Sequence, residues 1–501
     1  MTDNRHRTPI FQGGDNNENS DQKPHPVSEG HKFCDKDHTQ QIDNSSTVLE
    51  KIAGLYAERL LSDITLEVGG KKFAAHRLIL CASSDVFQVM LMNPNWTESQ
   101  ETKIVLQEDP ACVLVFPDFL KYLYTGKIHI NHFLVLPLVT LADKYNVKDL
   151  VRLCVDYMCR HVVSATKHNQ LVSWLQYTLN CGHTAVHNAC SNFITWNFEL
   201  AAQMDDFGCL ETDVLIHFLQ KSELVVKDEL TLFQCVAKWL QFQEHRLKST
   251  YNLTEAAEHF ADLAVEVMSH IRFPMMTPRH LASLLIHSLT SRFKDFFFEH
   301  MAVAMSFHSG EQGLRFWKVL EDPDGHLFFT PRLYTTERWS ASLIIENYPL
   351  LPTYSVRTLV FNTPASFAEC QSDHTYEWTV DIYPKGVWFK KFYLIVWQGT
   401  LEMPESVDKT VRLSLTSKDT EEVARVSVGI LIGGKQDGME HVRKVVKRNF
   451  VFSKDERILN INDLIPYDDL NNLRTGRSPF LVGPNSDVLK LHIVITPLWS
   501  V

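Results

Sequence analysis

Ser62–Leu80 reads SDITLEVGGKKFAAHRLIL. Ile64, Leu66 and Val68 alternate with Thr65 and Glu67, the period of a half-buried strand. Gly69 and Gly70 supply a tight turn, because glycine reaches positive φ without steric cost. Lys71 to Ala75 returns as a second strand. After His76, Leu78, Ile79, Leu80 and Ala82 enter a helical apolar run, with Ala82 to Met92 read as one helix. A hairpin feeding a helix is an ordinary fragment, and its neighbours make it specific.

Downstream lie Phe119–Ile128, FLKYLYTGKI, and Leu141–Tyr145, LADKY. Together with Ser62-Asp63-Ile64, Phe73, Ala75-His76-Arg77 and Ser83–Phe87 they resemble the BTB (POZ) domain. The resemblance covers about Thr47 to His161. Upstream, Val48, Ile52, Leu55, Tyr56 and Leu60 share one helical face, opened by Thr47 and Glu50 at capping-box spacing. The resemblance implies that this helix packs across a twofold axis, so Val48, Ile52, Leu55 and Tyr56 are the expected homodimer contacts. Asn93-Pro94-Asn95 then breaks a helix, since proline removes a donor and restricts the residue before it. In BTB adaptors of ubiquitin ligases, the loop that follows carries a hydrophobic-x-Glu pattern touching the cullin-3 scaffold. Trp96 and Glu98 hold those positions here.

From 164 to 305 the chain reads as nearly all helix. Leu171, Leu175 and Leu179, then Phe193, Ile194 and Phe198, recur at helical spacing. With Asn197-Phe198, Lys238-Trp239-Leu240 and Ile271–Pro274, they resemble the BACK domain, read as a stalk that sets the distance to whatever lies beyond. From Leu314 the pattern turns to β. Short runs at 343–345, 358–361, 376–382, 392–397, 411–415, 423–432, 445–452 and 488–495 suggest an antiparallel sandwich. Trp378–Gly386, WTVDIYPKG, resembles a strand and turn of TRAF/MATH domains.

The expected fold class is therefore multidomain α+β: an α/β BTB domain, an all-α BACK domain and a carboxyl-terminal antiparallel β-sandwich. The expected boundaries are a disordered tail at 1–45, BTB at 46–161, BACK at 162–305, a linker or additional strands at 306–366, and the TRAF/MATH-like sandwich at 367–501. The tail is polar and poor in large apolar side chains, too poor to offset its ordering entropy. The whole arrangement resembles the BTB/POZ-domain-containing protein 17 group.

Composition narrows the function. A net charge of −11 argues against nonspecific nucleic-acid binding, which needs clustered cations. No apolar run reaches membrane-spanning length, and the amino end shows no signal peptide. Ten scattered cysteines suit reduced thiols in the cytoplasm or nucleus. Cys181, His183, His187 and Cys190 form the one candidate zinc cluster, but their spacing fits no standard finger, so no metal is expected. Gly433–Gly438, GGKQDG, reads as a hairpin turn rather than a phosphate loop, and Arg443, Lys444, Lys447 and Arg448 as a solvated strand edge. Gly386–Tyr393, GVWFKKFY, places Trp388, Lys390 and Phe392 at alternate positions, a candidate substrate groove beside an edge strand.

The resemblance implies a non-enzymatic, cofactor-free dimeric adaptor. Its BTB domain would bind cullin-3 and its sandwich an unknown protein substrate. The alternatives are a BTB scaffold or transcription-linked protein independent of cullin, and a secreted protein like galectin-3-binding protein, against which the amino end argues.

Overall fold

The structure is a computed structural model. It describes residues 42–498 except 312–313, 322–324, 372, 397–398, 404, 419–422 and 472–477. Most of the expected amino-terminal tail, and Trp397, lie outside the described residues.

The amino-terminal unit runs α1 (Ser45–Glu58), β1 (Ile64–Val68), β2 (Lys71–Ala75), α2 (Arg77–Ser83), α3 (Asp85–Met92), β3 (Lys103–Leu106), α4 (Pro110–Thr125), α5 (Val135–Lys144) and α6 (Lys148–Lys167). β1 pairs antiparallel with β2 and parallel with β3. Gly69 and Gly70 have φ of 56° and 76°, as the turn requires. A Cβ on Gly69 would also stand 2.5 Å from Val113 Cγ1, so the turn is seated on α4. The helix expected from Ala82 to Met92 is two helices. Ser84 takes extended angles between them, and its Oγ accepts from Phe87 N at 3.0 Å while donating to Tyr145 O at 2.5 Å. The Thr47–Glu50 capping box does not form. α1 begins two residues earlier, where Asp43 Oδ1 accepts from Ser45 N at 2.9 Å.

Helices continue through α7 (Leu171–Cys181), α8 (Thr184–Trp196), α9 (Phe198–Ala202), α10 (Thr212–Gln220), the short strand β4 (Val225–Val226), α11 (Glu229–Thr250), α12 (Leu253–Met268), α13 (Pro278–Leu284), α14 (Ser288–Arg292) and α15 (Lys294–Ser309). The change to β comes later than Leu314. Residues 314–321 and 325–328 are helical, and Val319, Leu320 and Phe328 pack against the helical core. β5 (Leu333–Tyr334) then pairs parallel with β4.

The carboxyl-terminal strands are β6 (Ser340–Ile345), β7 (Arg357–Pro364), β8 (Thr375–Tyr383), β9 (Val387–Phe389), β10 (Phe392–Val396), β11 (Gly399–Met403), β12 (Ser406–Asp408), β13 (Arg412–Ser417), β14 (Ala424–Gln436), β15 (Met439–Phe452), β16 (Ile458–Ile461) and β17 (Leu489–Pro497). Two four-stranded sheets, ordered β16-β13-β8-β7 and β15-β14-β17-β6, enclose a core around Trp378, Val380, Leu413, Ile430 and Ile493. Trp378 is fully buried, and its Nε1–H donates to Thr363 Oγ1 at 2.8 Å. Strands β6 and β7 of this sandwich come from the 306–366 stretch. The run at 392–397 was expected as a sandwich strand. β10 instead pairs only with β11, in a separate two-stranded ribbon.

The sandwich is not held away on a stalk. Leu431 and Val494 on the outer face of its second sheet pack with Val225 and Leu333, and Trp196, Val442 and Val445 close around them. Asn197, the cap residue between α8 and α9, donates from Nδ2 to Val442 O at 3.0 Å and accepts from Val442 N at 2.8 Å, so its side chain blocks the β15 edge as a neighbouring strand would.

Candidate interaction sites

The loop carrying Trp96 and Glu98 is positioned by Arg77, whose role the sequence reading missed. Arg77 N donates to Asp63 Oδ1 at 2.9 Å. Its guanidinium donates to Leu91 O at 3.3 Å, to Ser99 O at 3.1 Å and to Glu101 O. One cation thus fixes both ends of the 93–101 loop. Within it Thr97–Ser99 forms a 3₁₀ turn, with Ser99 N donating to Trp96 O at 3.1 Å. Trp96 is 48% exposed, and Glu98 is half-buried. Val86, Val89 and Met92 are exposed along α3 at helical spacing, on the helix that runs into this loop. The region thus combines exposed apolar side chains on α3 with an exposed indole, on a backbone that Arg77 holds in place.

α1 has no buried residue. Ile52 and Tyr56 pack partly on their own domain, where Tyr56 OH donates to Pro117 O at 3.3 Å and its ring lies 5.2 Å from Tyr124. Leu55 is half-buried. Val48, Leu49, Leu60 and Leu61 are exposed. The helix therefore spends one side on its own domain and offers another.

Trp388 sits on β9, which pairs with β12 outside the two large sheets. It is 47% exposed and donates from Nε1 to Glu405 Oε1 at 2.7 Å, with Lys390 Nζ 5.5 Å above its ring. Tyr354, Phe389 and Val407 are also exposed, and Arg412 stacks over Phe389 at 5.2 Å. Phe392 begins β10, and its side chain lies outside the described residues. Trp388 and Lys390 are thus together, on a two-stranded ribbon separate from the two large sheets. Phe389 was missed because strict alternation placed it inward.

Of the candidate metal residues, His183 serves the junction between the first two domains. His183 Nε2 is 2.7 Å from Asp143 Oδ2, the oxygen to which Tyr177 OH donates at 2.6 Å. Cys190 is buried, which pushes its thiol pKa up, while Cys181 is exposed. Among the described residues, no group of three or more His, Cys, Asp or Glu side chains is placed to hold a metal. The GGKQDG turn is a hairpin whose Asp437 and Gly438 have φ of 49° and 77°. The basic run is not a free edge. Arg443 stacks on Phe480, Lys444 donates to Leu464 O and Lys447 to Ser222 O.

Residues 53–162 match the BTB/POZ domain, 171–285 the "BTB And C-terminal Kelch" (BACK) domain and 329–499 the "BTBD17 TRAF domain". The chain is a BTB–BACK protein with a carboxyl-terminal TRAF domain. It is similar to "BTB/POZ domain-containing protein 17" of Xenopus laevis, 27% identical over 479 residues that span 91% of this chain and 92% of the relative. The Homo sapiens protein of the same name is 27% identical over 470 residues, 91% of this chain and 90% of its own length. Galectin-3-binding protein of Bos taurus is 27% identical over 277 residues, 55% of this chain and 46% of its length. No described helix is long and apolar enough to cross a membrane.

Proposed function

We propose that this chain is a homodimeric, non-catalytic adaptor that recruits a protein substrate to a cullin-3 ubiquitin ligase. The BTB–BACK–TRAF architecture supports a protein-interaction role. The observation that carries the cullin reading is the half-exposed Trp96 in a loop whose backbone is clamped by Arg77, beside an α3 that exposes Val86, Val89 and Met92. Aromatic anchors on preorganised backbone are where interfaces concentrate their energy. The two-stranded ribbon with Trp388 and Lys390 is the proposed substrate surface. A dimer carries two such surfaces, so weak individual contacts gain from tethering. The nine described cysteines are all free thiols, which supports a reducing compartment, cytoplasm or nucleus.

Coprecipitation of the full chain with cullin-3 tests the scaffold contact. Trp96→Ala with Glu98→Ala is expected to weaken capture at least about tenfold, the scale of one interface anchor. Capture undiminished by the double substitution removes these residues from the interface, and no capture by the native chain removes the cullin reading itself.

Dimerisation is tested separately by light scattering. Val48→Glu with Leu49→Glu places charges on the unburied side of α1, where desolvating them across a twofold axis is unfavourable. The native chain is expected at twice the monomer mass and the variant at the monomer mass. A monomeric native chain refutes the assignment.

A further inference from the structure

The seam between the BACK domain and the sandwich does not close along its whole length. Trp196 and Leu431 belong to its packed part and also line a cleft of about 580 Å³. Ligand sites occupy about 300–1,000 Å³ and favour domain interfaces. The floor of the cleft is the outer face of the second sheet at Gly433. That glycine pairs with Val442 of β15, and Lys490 of β17 lies on its other side. A Cβ at position 433 would stand 3.3 Å from Lys490 O and 3.5 Å from Val482 Cγ1. Without a side chain there, the sheet surface stays low between Val442 and Lys490. The facing wall comes from the BACK domain. Trp196 ends α8 and Glu199 lies in α9, with Asn197 between them fixed on Val442.

Several polar groups of the lining are already committed. Asn197 spends its amide on the Val442 backbone. Both ring nitrogens of His492 face serine hydroxyls, Ser342 Oγ at 2.6 Å and Ser340 Oγ at 2.8 Å. Glu199 Oε1 accepts from Lys227 N, and Glu440 Oε1 from Gly483 N at 2.8 Å. What remains is charge. Glu199, Glu440 and Lys490 are the charged side chains of the lining. Among the described residues none of the three makes an ion pair. The second oxygen of each carboxylate and the Lys490 ammonium likewise have no hydrogen-bond partner among them. Opposite charges thus stand around one apolar-walled cleft without neutralising one another.

We propose that this cleft binds a peptide segment of a partner protein that carries a basic and an acidic side chain around an apolar one. The basic group goes to Glu199 and Glu440, the acidic group to Lys490, and the apolar one against Trp196 and Val442. Charge-assisted hydrogen bonds are the stronger kind and fix orientation. The indole face adds a favourable surface for lysine or arginine. Two carboxylates against one ammonium leave the cleft net negative, so the basic side chain is the stronger determinant. The occupant is a peptide rather than a metabolite because the BTB–BACK–TRAF architecture supports a protein-interaction role. The inference rests on that role, and neither on the cullin contact nor on the Trp388 ribbon.

The test is selection of random octapeptides, displayed on phage, by the full chain, followed by fluorescence-polarisation titration of the selected peptides. They are expected to share a lysine or arginine, an apolar residue, and an aspartate or glutamate. Glu199→Gln with Glu440→Gln keeps both oxygens that accept from the backbone and removes only the charges. It is expected to weaken these peptides at least about tenfold. Lys490→Glu is expected to weaken them as well, and to regain binding when the acidic residue of the peptide is changed to lysine. That exchange of charge keeps the test decisive, since a misfolded chain regains nothing. Trp388→Ala is expected to leave binding unchanged. Selection of no peptide by the native chain, selected peptides without the charged pair, or binding that the cleft variants leave unchanged overturns the site. A loss with Trp388→Ala instead puts the peptides on the ribbon and overturns the cleft assignment too.

Discussion

Glu229→Gln is expected to cost this protein about 3–5 kcal/mol of stability, the scale for leaving a buried charge uncompensated. Glu229 is 1% exposed, Arg272 2% and Arg332 fully buried. Glu229 Oε1 accepts from Arg272 N at 2.8 Å. Its Oε2 accepts from Arg332 Nε at 3.2 Å and from Tyr334 OH at 2.7 Å. The remaining guanidinium donors reach uncharged acceptors: Arg332 the carbonyls of Leu219, Lys221 and His270, Arg272 the carbonyls of Gln220 and Thr330 and the Ser222 hydroxyl. Glu229 thus pairs directly with the Arg332 guanidinium, while Arg272 reaches it through its backbone N–H and lies in the same buried cluster. Burial, then Arg332, lowers the Arg272 pKa, and burial, then Glu229, raises that of Tyr334 so its hydroxyl stays a donor. Carbonyl dipoles satisfy hydrogen bonds but do not cancel net charge, so neutralising Glu229 strands the Arg332 guanidinium and removes the carboxylate charge that also favours Arg272.

Urea unfolding checks this. Lys103→Ala, which breaks the exposed Lys103–Glu67 pair, provides the contrast and is expected to stay within about 1 kcal/mol of the native chain. If both substitutions cost the same, buried charge is not what holds this joint. The location matters for function as well. Arg332 precedes β5 and Tyr334 lies in it, paired with Val226, where the chain leaves the BACK domain for the sandwich. A loosened clasp is expected to free the TRAF domain from its fixed position relative to the BTB and BACK domains.

The parts of this fold that were legible in sequence are those set by local period and turn chemistry. Ile64-Leu66-Val68 before Gly69-Gly70 settled the hairpin, and Trp378–Gly386 placed β8 and its turn. What escaped was set by pairs far apart in the chain. Nothing near Glu229 announces Arg332, 103 residues away. Arg77 was noted only as part of a motif, because its partners are backbone carbonyls that carry no sequence signature. The helix break at Ser84 had a readable signal, since Ser-Asp before an apolar run is an N-cap with an acidic first turn. The docking of the sandwich had one too. Val428 to Ile432 is continuously apolar, and all five residues are buried, whereas a strand with one wet face alternates. The run was read as strand without the further step that both of its faces must be covered.

That covered face gives the other large prediction. Gly429→Val is expected to destabilise the docked sandwich by about 1–3 kcal/mol or more, the cost of overpacking a close-packed site. Gly429 lies in mid-strand on β14, paired with Lys447 on one side and Val494 on the other. Strand propensity alone predicts the opposite sign, because a β-branched residue in place of glycine favours a strand by up to about 1 kcal/mol. Contact geometry decides between them. A Cβ at position 429 would stand 2.4 Å from Leu333 Cδ2, far inside contact distance, and Leu333 is fixed by pairing with Val225. The glycine is there so that the strand leaving the BACK domain can lie against the sheet. A double-mutant cycle tests this. Leu333→Ala alone is expected to cost about 2–5 kcal/mol as a cavity, but with Gly429→Val the new isopropyl group enters the vacated space. The pair is then expected to cost less than the sum of the two, with a coupling of about 0.5–3 kcal/mol. Strict additivity, or a Gly429→Val chain as stable as the native one, would mean that Leu333 does not seat the TRAF domain on its helical neighbour.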